Sequence, residues 1–210
     1  QRLHAAHAMI FTLDDHEIAD NAWSGGAEEH FAEDGPWESR LHSALEAWEA
    51  WQPTVRRPTH GDSLWQLVPL GGCASLFLCD SRWARTDPLA PDGPAKSILG
   101  AAQAHALTAT LAASRVPWFI VGMPSKFLTL SAADGEKADL VMRTLKLTDS
   151  EGRPYHDRWD SYSRERDELM THLALGASTP VVLCGDVHFA AFSHAGKETG
   201  HGVLECVTTS

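Results

Sequence analysis

Two short stretches of the chain set acids beside imidazoles. In FTLDDHEIADNAW (residues 11–23), Asp14, Asp15, His16 and Glu17 come directly behind the apolar run 8–11. In VVLCGDVHFAAFSH, Asp186 and His188 follow the apolar run 181–184. Like charges this close repel, and desolvating each costs roughly several kcal/mol unless a cation compensates. Either water solvates them on a loop or a bound cation does the compensating. Carboxylate oxygen and neutral imidazole nitrogen suit Zn, Mn or Fe, ions that activate water. Past Gly185, a residue that permits a sharp turn, an Asp and a His two apart can face one point. Taken singly, each stretch also reads as a solvated turn or the polar start of a helix; finding both behind strong apolar runs favours metal. HEIAD (16–20) invites comparison with a zinc-protease helix, but that motif needs His at its fifth position, where Asp20 stands.

Strands must position these groups. Residues 8–13 read as a short buried strand, and 38–51 as an amphipathic helix with Leu41, Leu45, Trp48 and Trp51 on its core face. Residues 63–80 predict a hairpin about Gly71-Gly72 that ends in Asp80-Ser81-Arg82. An Ala- and Leu-rich helix is expected over 97–114, with Ser97 placed to cap it, and a buried strand over 116–123. Residues 128–158 are polar and read as an excursion. A helix then runs from Ser163 to Gly176, followed by strands over 179–188 and in GVLECVTT. Strands alternating with helices predict a single α/β layered domain. In such folds ligands sit at the carboxyl ends of strands, where both acidic stretches fall.

The bulk composition excludes some functions. Of 210 residues, 43% are hydrophobic, enough for a real core. Asp and Glu number 28 against 17 Lys and Arg, a net charge of −11, which argues against binding a nucleic-acid backbone. A small anionic substrate stays compatible, because a bound metal reverses the local field. No apolar stretch is long enough for a transmembrane segment. Cys73, Cys79, Cys184 and Cys206 form no CxxC pair and read as free thiols, which leaves the compartment open. The chain opens without Met and stops straight after a strand-like run, so it is expected to be a piece of a longer protein.

FTLDDHEIADNAW, LFLCDSRWART, SILGAAQAHALTATLAAS, WDSYSRERDELMTHL and VVLCGDVHFAAFSH together resemble successive blocks of the PhoD-like alkaline phosphatases, in that family's order. The resemblance implies the calcineurin-like metallophosphoesterase fold, a two-sheet β-sandwich flanked by helices. It implies hydrolysis of a small phosphate ester, mono- or diester, by metal-activated water. Two divalent or trivalent ions (Fe, Ca, Mn or Zn) would serve the intact enzyme. By the same resemblance Asp15, Asp186 and His188 are metal ligands, and His16 is the imidazole that protonates or stabilises the departing oxygen. Arg82 is a substrate-phosphate group, and Asp14, Asp80, Asp160 and Tyr162 line the site. Arg82 reads equally well as a structural partner of Asp80 or another carboxylate. Secreted, periplasmic and cytoplasmic locations all fit the family, and the oligomeric state is open.

The chain also departs from the pattern. The family's opening blocks supply further Asp ligands, in some members with Cys and Tyr ligands to iron, and nothing before Ala8 matches them. About half of a two-metal site is expected here. A catalytically incomplete relative acting as a structural or partner-binding domain is the alternative.

Overall fold

The computed structural model describes residues 2–52, 64–129, 156–195 and 202–208. Strands β1 (Gln66–Leu70), β2 (Ala74–Leu78), β3 (Trp118–Met123), β4 (Thr179–Cys184), β5 (Ala191–Ala195) and β6 (Val203–Val207) form one six-stranded sheet in the order β1-β2-β3-β4-β6-β5. The inner strands β2, β3, β4 and β6 run parallel, while β1 and β5 pair antiparallel at the two edges. Near-continuous apolar runs such as WFIVGM suit a parallel interior, which is buried on both faces. Pro69, which has no N–H to donate, stands on edge strand β1.

Among the described residues the α-helices are α1 (Arg2–Ala6), α2 (Trp37–Trp51), α3 (Gly100–Ala113) and α4 (Ser163–Leu175), of which α3 and α4 pack on the sheet. Strong helix formers fill α3. Ser97 is not the N-cap, which is Leu99 and makes no side-chain capping bond; Ser97 stands two residues earlier, its Oγ accepting the Gly100 N–H at 2.7 Å. Glu165 of α4 reinforces that end, accepting from the Ser97 hydroxyl and the Ile98 N–H, both at 2.6 Å. Leu107 and Leu111 of α3 and Leu169 and Leu173 of α4 bury themselves against Phe77, Phe119, Val121 and Val182 of the sheet. Each such side chain contributes about 1.5–3 kcal/mol by leaving water. A second cluster gathers Leu13, Ile18 and Ala22 under Trp37 and Trp48 of α2.

The α/β layering is as the sequence implies. Among the described residues there is one sheet, so the second sheet of the sandwich is not represented in them. Residues 8–13 do not form a strand. They exchange no ladder bonds with the sheet and are held instead by side chains, Thr12 Oγ1 donating to the Cys79 carbonyl (2.5 Å) and Gln66 Nε2 to that of Phe11 (3.0 Å). Trp51 is not a core residue: it ends α2 and is 83% exposed, whereas Trp48 one turn earlier is buried. Strand β5 is an addition to the expected elements; as an edge strand with Phe192 facing solvent, it lacks a buried face to advertise it. Most of the polar excursion lies outside the described residues. All four cysteines are free thiols, and burial pushes those of Cys79 and Cys184 far above the ordinary range.

Candidate active site

Because β2, β3 and β4 are parallel, the segments leaving them emerge along one edge of the sheet. Asp80-Ser81-Arg82 follows β2 and Gly185–His188 follows β4. The acidic turn 14–22 is brought to the same edge by the Thr12 bond to Cys79. Within that turn the Asp15 carbonyl accepts the N–H groups of Ile18 (2.7 Å) and Ala19 (2.8 Å). Its side chain accepts the Asn21 N–H at 2.9 Å. The apolar residues of the turn are buried beneath α2, and Arg40 of α2 donates to the Ile18 carbonyl at 3.1 Å. Asp15 is thus nearly sealed and fixed at both backbone and carboxylate.

The second acidic segment makes an unusual turn. Asp186 and His188 both have positive φ, 71° and 55°, while Val187 between them is buried in the main core. Residues with a Cβ enter that region at a cost of roughly 1–2 kcal/mol each, Asn, Asp and His more often than the rest. The sequence assigns the sharp turn to Gly185, but Gly185 is not at positive φ; the two functional candidates themselves take the strained conformation. The turn is over-determined by its surroundings: Gly185 N–H donates to the Pro124 carbonyl (3.0 Å), Val187 N–H to Gly185 (2.9 Å), and Thr208 N–H to Cys184 (2.9 Å).

Asp15, His16, Asp186 and His188 all line one cavity of about 270 Å³. Asp14, which is not among the residues lining that cavity, has a carboxylate oxygen within 4.8 Å of those of Asp15 and Asp186. Behind them lies the fully buried side chain of Arg82. Its Nε and NH2 meet Asp14 Oδ1 at 2.7 Å, and NH1 donates to Asp157 Oδ1 at 2.7 Å. NH2 stands 3.6 Å from Asp15 and 4.0 Å from Asp186. Burial pushes the Asp186 carboxyl up to about 7, with the negative charge of Asp14 adding to the effect against the pull of Arg82. Burial likewise raises Asp14, more than Arg82 lowers it. At Asp15 burial is outweighed by Arg82 and the Asn21 N–H, and the carboxyl is held below the usual range.

Other residues are placed differently from the sequence reading. Arg82 is 1% exposed and does not reach the cavity wall, because the carboxylates draw its guanidinium inward; the structure does not present it to a substrate. Asp80 is also beneath the site. Its Oδ1 accepts the N–H groups of Arg82 (2.9 Å) and Trp83 (3.1 Å), and Gln103 brackets its backbone from both sides. Asp160 turns away to Arg166 and Thr129. Tyr162 is buried, accepting from Arg85 Nε at 3.0 Å and donating to the Thr86 carbonyl at 2.7 Å. These three are braces rather than lining.

Three neighbours go unnoticed in the sequence. Asp157 lines the cavity and is gripped from behind by Arg82 and by Arg85, whose NH1 is 3.0 Å away. Arg158 lines the cavity too. Asp20 stands 3.4 Å from His16 Nε2. The signal for the arginine pair is the i, i+3 spacing of Arg82 and Arg85 in DSRWART; nothing in the polar stretch before Trp159 marks Asp157 or Arg158.

The donor set fits a metal ion. Asp15 and Asp186 bring carboxylate oxygens within 4.8 Å of one another in a cavity that His16 and His188 also line. The family model described as PhoD-like phosphatase matches residues 1–210. A solved structure described as "Structure of PhoD" superposes with a TM-score of 0.70 at 22% identity, over 94% of this chain and 38% of that one. The chain therefore spans 38% of that structure's length, and at this identity the likeness concerns the fold. No curated protein matches.

Proposed function

The chain belongs to the PhoD-like phosphatase family, and from that premise we propose that it carries a metal-dependent site for hydrolysis of small phosphate esters. The observation that supports this most is the convergence of Asp15, Asp186, His16 and His188 on one cavity from distant parts of the sequence. Asp15, Asp186 and His188 would hold the metal. When bound, such an ion lowers the pKa of water and offsets charge on the phosphoryl oxygens.

The chain's own residues would do the rest. Asp15 is fixed by Asn21 and its turn, so it meets the ion with little reorganisation. Arg158 supplies positive charge at the cavity wall, where the substrate's phosphoryl oxygens would lie. His16 is exposed at the rim, and its imidazole would give a proton to the departing oxygen as the P–O bond breaks. Asp20 beside His16 Nε2 would steady the ring.

Elemental analysis together with phosphate release from 4-nitrophenyl phosphate and its bis ester tests the reading. Bound transition metal and turnover abolished by chelator are expected. Absence of both would favour the other reading, a catalytically incomplete domain. One observation supports that rival: a resident cation, Arg82, already sits among the acids.

A further inference from the structure

We propose that Arg82 is a positioning residue that divides the acid cluster: it withdraws Asp14 and Asp157 from the ligand set and leaves Asp15 and Asp186 for the metal. This rests on the metal-dependent reading above and goes beyond it by assigning each carboxylate a separate task.

The distances separate into two classes. Asp14 and Asp157 each meet the guanidinium at 2.7 Å, within charge-assisted hydrogen-bond range. Asp15 and Asp186 stand at 3.6 Å and 4.0 Å, inside Coulomb reach but beyond a short hydrogen bond. Asp14 and Asp157 each have an oxygen committed to Arg82, although Asp157 lines the cavity too; Asp15 and Asp186 line it with no short bond to the guanidinium, one oxygen of Asp15 being taken by the Asn21 N–H. Arg82 cannot migrate to even out the distances. Its backbone N–H is held by Asp80 at 2.9 Å, Asp80 is bracketed by Gln103, and NH1 also reaches the Ala22 carbonyl at 3.4 Å. Arg85 holds the far side of Asp157 at 3.0 Å. Only a planar fork can grip two carboxylates on different sides while offering residual charge to two more, which a lysine ammonium does less well.

Sealed acids without their counter-ion repel, so removing Arg82 should make the fold lean on the metal instead. The test uses Mn²⁺ as probe on protein first stripped with chelator, reading affinity by calorimetry and thermal midpoint with and without Mn²⁺. Asp14→Asn should leave Mn²⁺ affinity within about threefold of wild type, while Asp186→Asn should weaken it by at least about a hundredfold. Arg82→Met should lower the midpoint in chelator and show a larger Mn²⁺-induced rise than wild type. Arg82→Lys, which keeps the charge, should fall between and serves if the Met variant does not fold. Equal loss of affinity in Asp14→Asn and Asp186→Asn would overturn this inference while leaving the metal reading intact. So would a midpoint in the Arg82 variants that drops by the same amount with and without Mn²⁺. Failure of the wild-type protein to bind Mn²⁺, Zn²⁺ or Fe would overturn both.

Discussion

Asp15 and Asp186, which lie near opposite ends of the chain, present carboxylate oxygens within 4.8 Å of each other at one edge of the sheet. They are not equivalent. Arg82 and a backbone N–H outweigh burial and hold the Asp15 carboxyl below its usual range, whereas burial and a neighbouring acid push that of Asp186 up to about 7.

That difference fixes a pH dependence for the metal-free protein. A carboxyl raised in the folded state binds its proton more tightly there than in the unfolded chain. Its contribution to stability is full below about pH 4 and is lost as pH rises through about 7. In chelator, the stability of wild type relative to Asp186→Asn should therefore fall between pH 4 and 7, by on the order of a few kcal/mol. Parallel pH profiles for the two proteins would contradict this.

His16 is expected to act on the leaving group. Replacing it with Ala should slow turnover of alkyl phosphate esters by a factor of roughly 10²–10⁴. Nitrophenyl esters, whose leaving oxygen needs no proton, should suffer much less. Equal losses on both substrates would remove His16 from the acid role.

Arg158 should behave as a substrate contact. Arg158→Gln is expected to raise KM, and the inhibition constant for inorganic phosphate, roughly tenfold to a hundredfold, the worth of a charged hydrogen bond. Metal content should hardly change. A fall in metal content would instead make Arg158 part of the scaffold.

Asp157 should matter to the fold before it matters to chemistry. Asp157→Asn leaves the buried guanidiniums of Arg82 and Arg85 without their shared anion. Urea unfolding should show a loss of about 3–5 kcal/mol. A loss under about 1 kcal/mol would mean that the remaining acids are able to compensate.

The fold was legible wherever one physical signal dominated. Apolar runs marked β3 and β4, the Gly71-Gly72 turn marked the hairpin, and helix-forming composition marked α3. Strand β5 escaped because an exposed edge has no strong pattern, and residues 8–13 misled because an apolar run does not specify a pairing partner. At the site, the acids and imidazoles could be read because their types are chemically distinctive, and Asp186 and His188 also stand where a strand end predicts, whereas Asp14, Asp15 and His16 follow a segment that is not a strand. Arg82 was harder: its residue type suits phosphate or carboxylate equally, and only the three-dimensional gathering of Asp14 and Asp157 decides between them. Asp157 itself has no local signature at all, since its importance comes from two arginines over seventy positions away in sequence, one of them Arg82 (|i−j| = 75).

The left-handed backbone at Asp186 and His188 bears on how this sequence can drift. Glycine would occupy both positions with less conformational penalty, so a random walk that rewarded persistence alone would erode that pair early. Keeping Asp and His there goes against that gradient. Glycine at either place would ease the backbone and at the same time remove a group that lines the cavity, so any gain in stability there would come at the expense of the site.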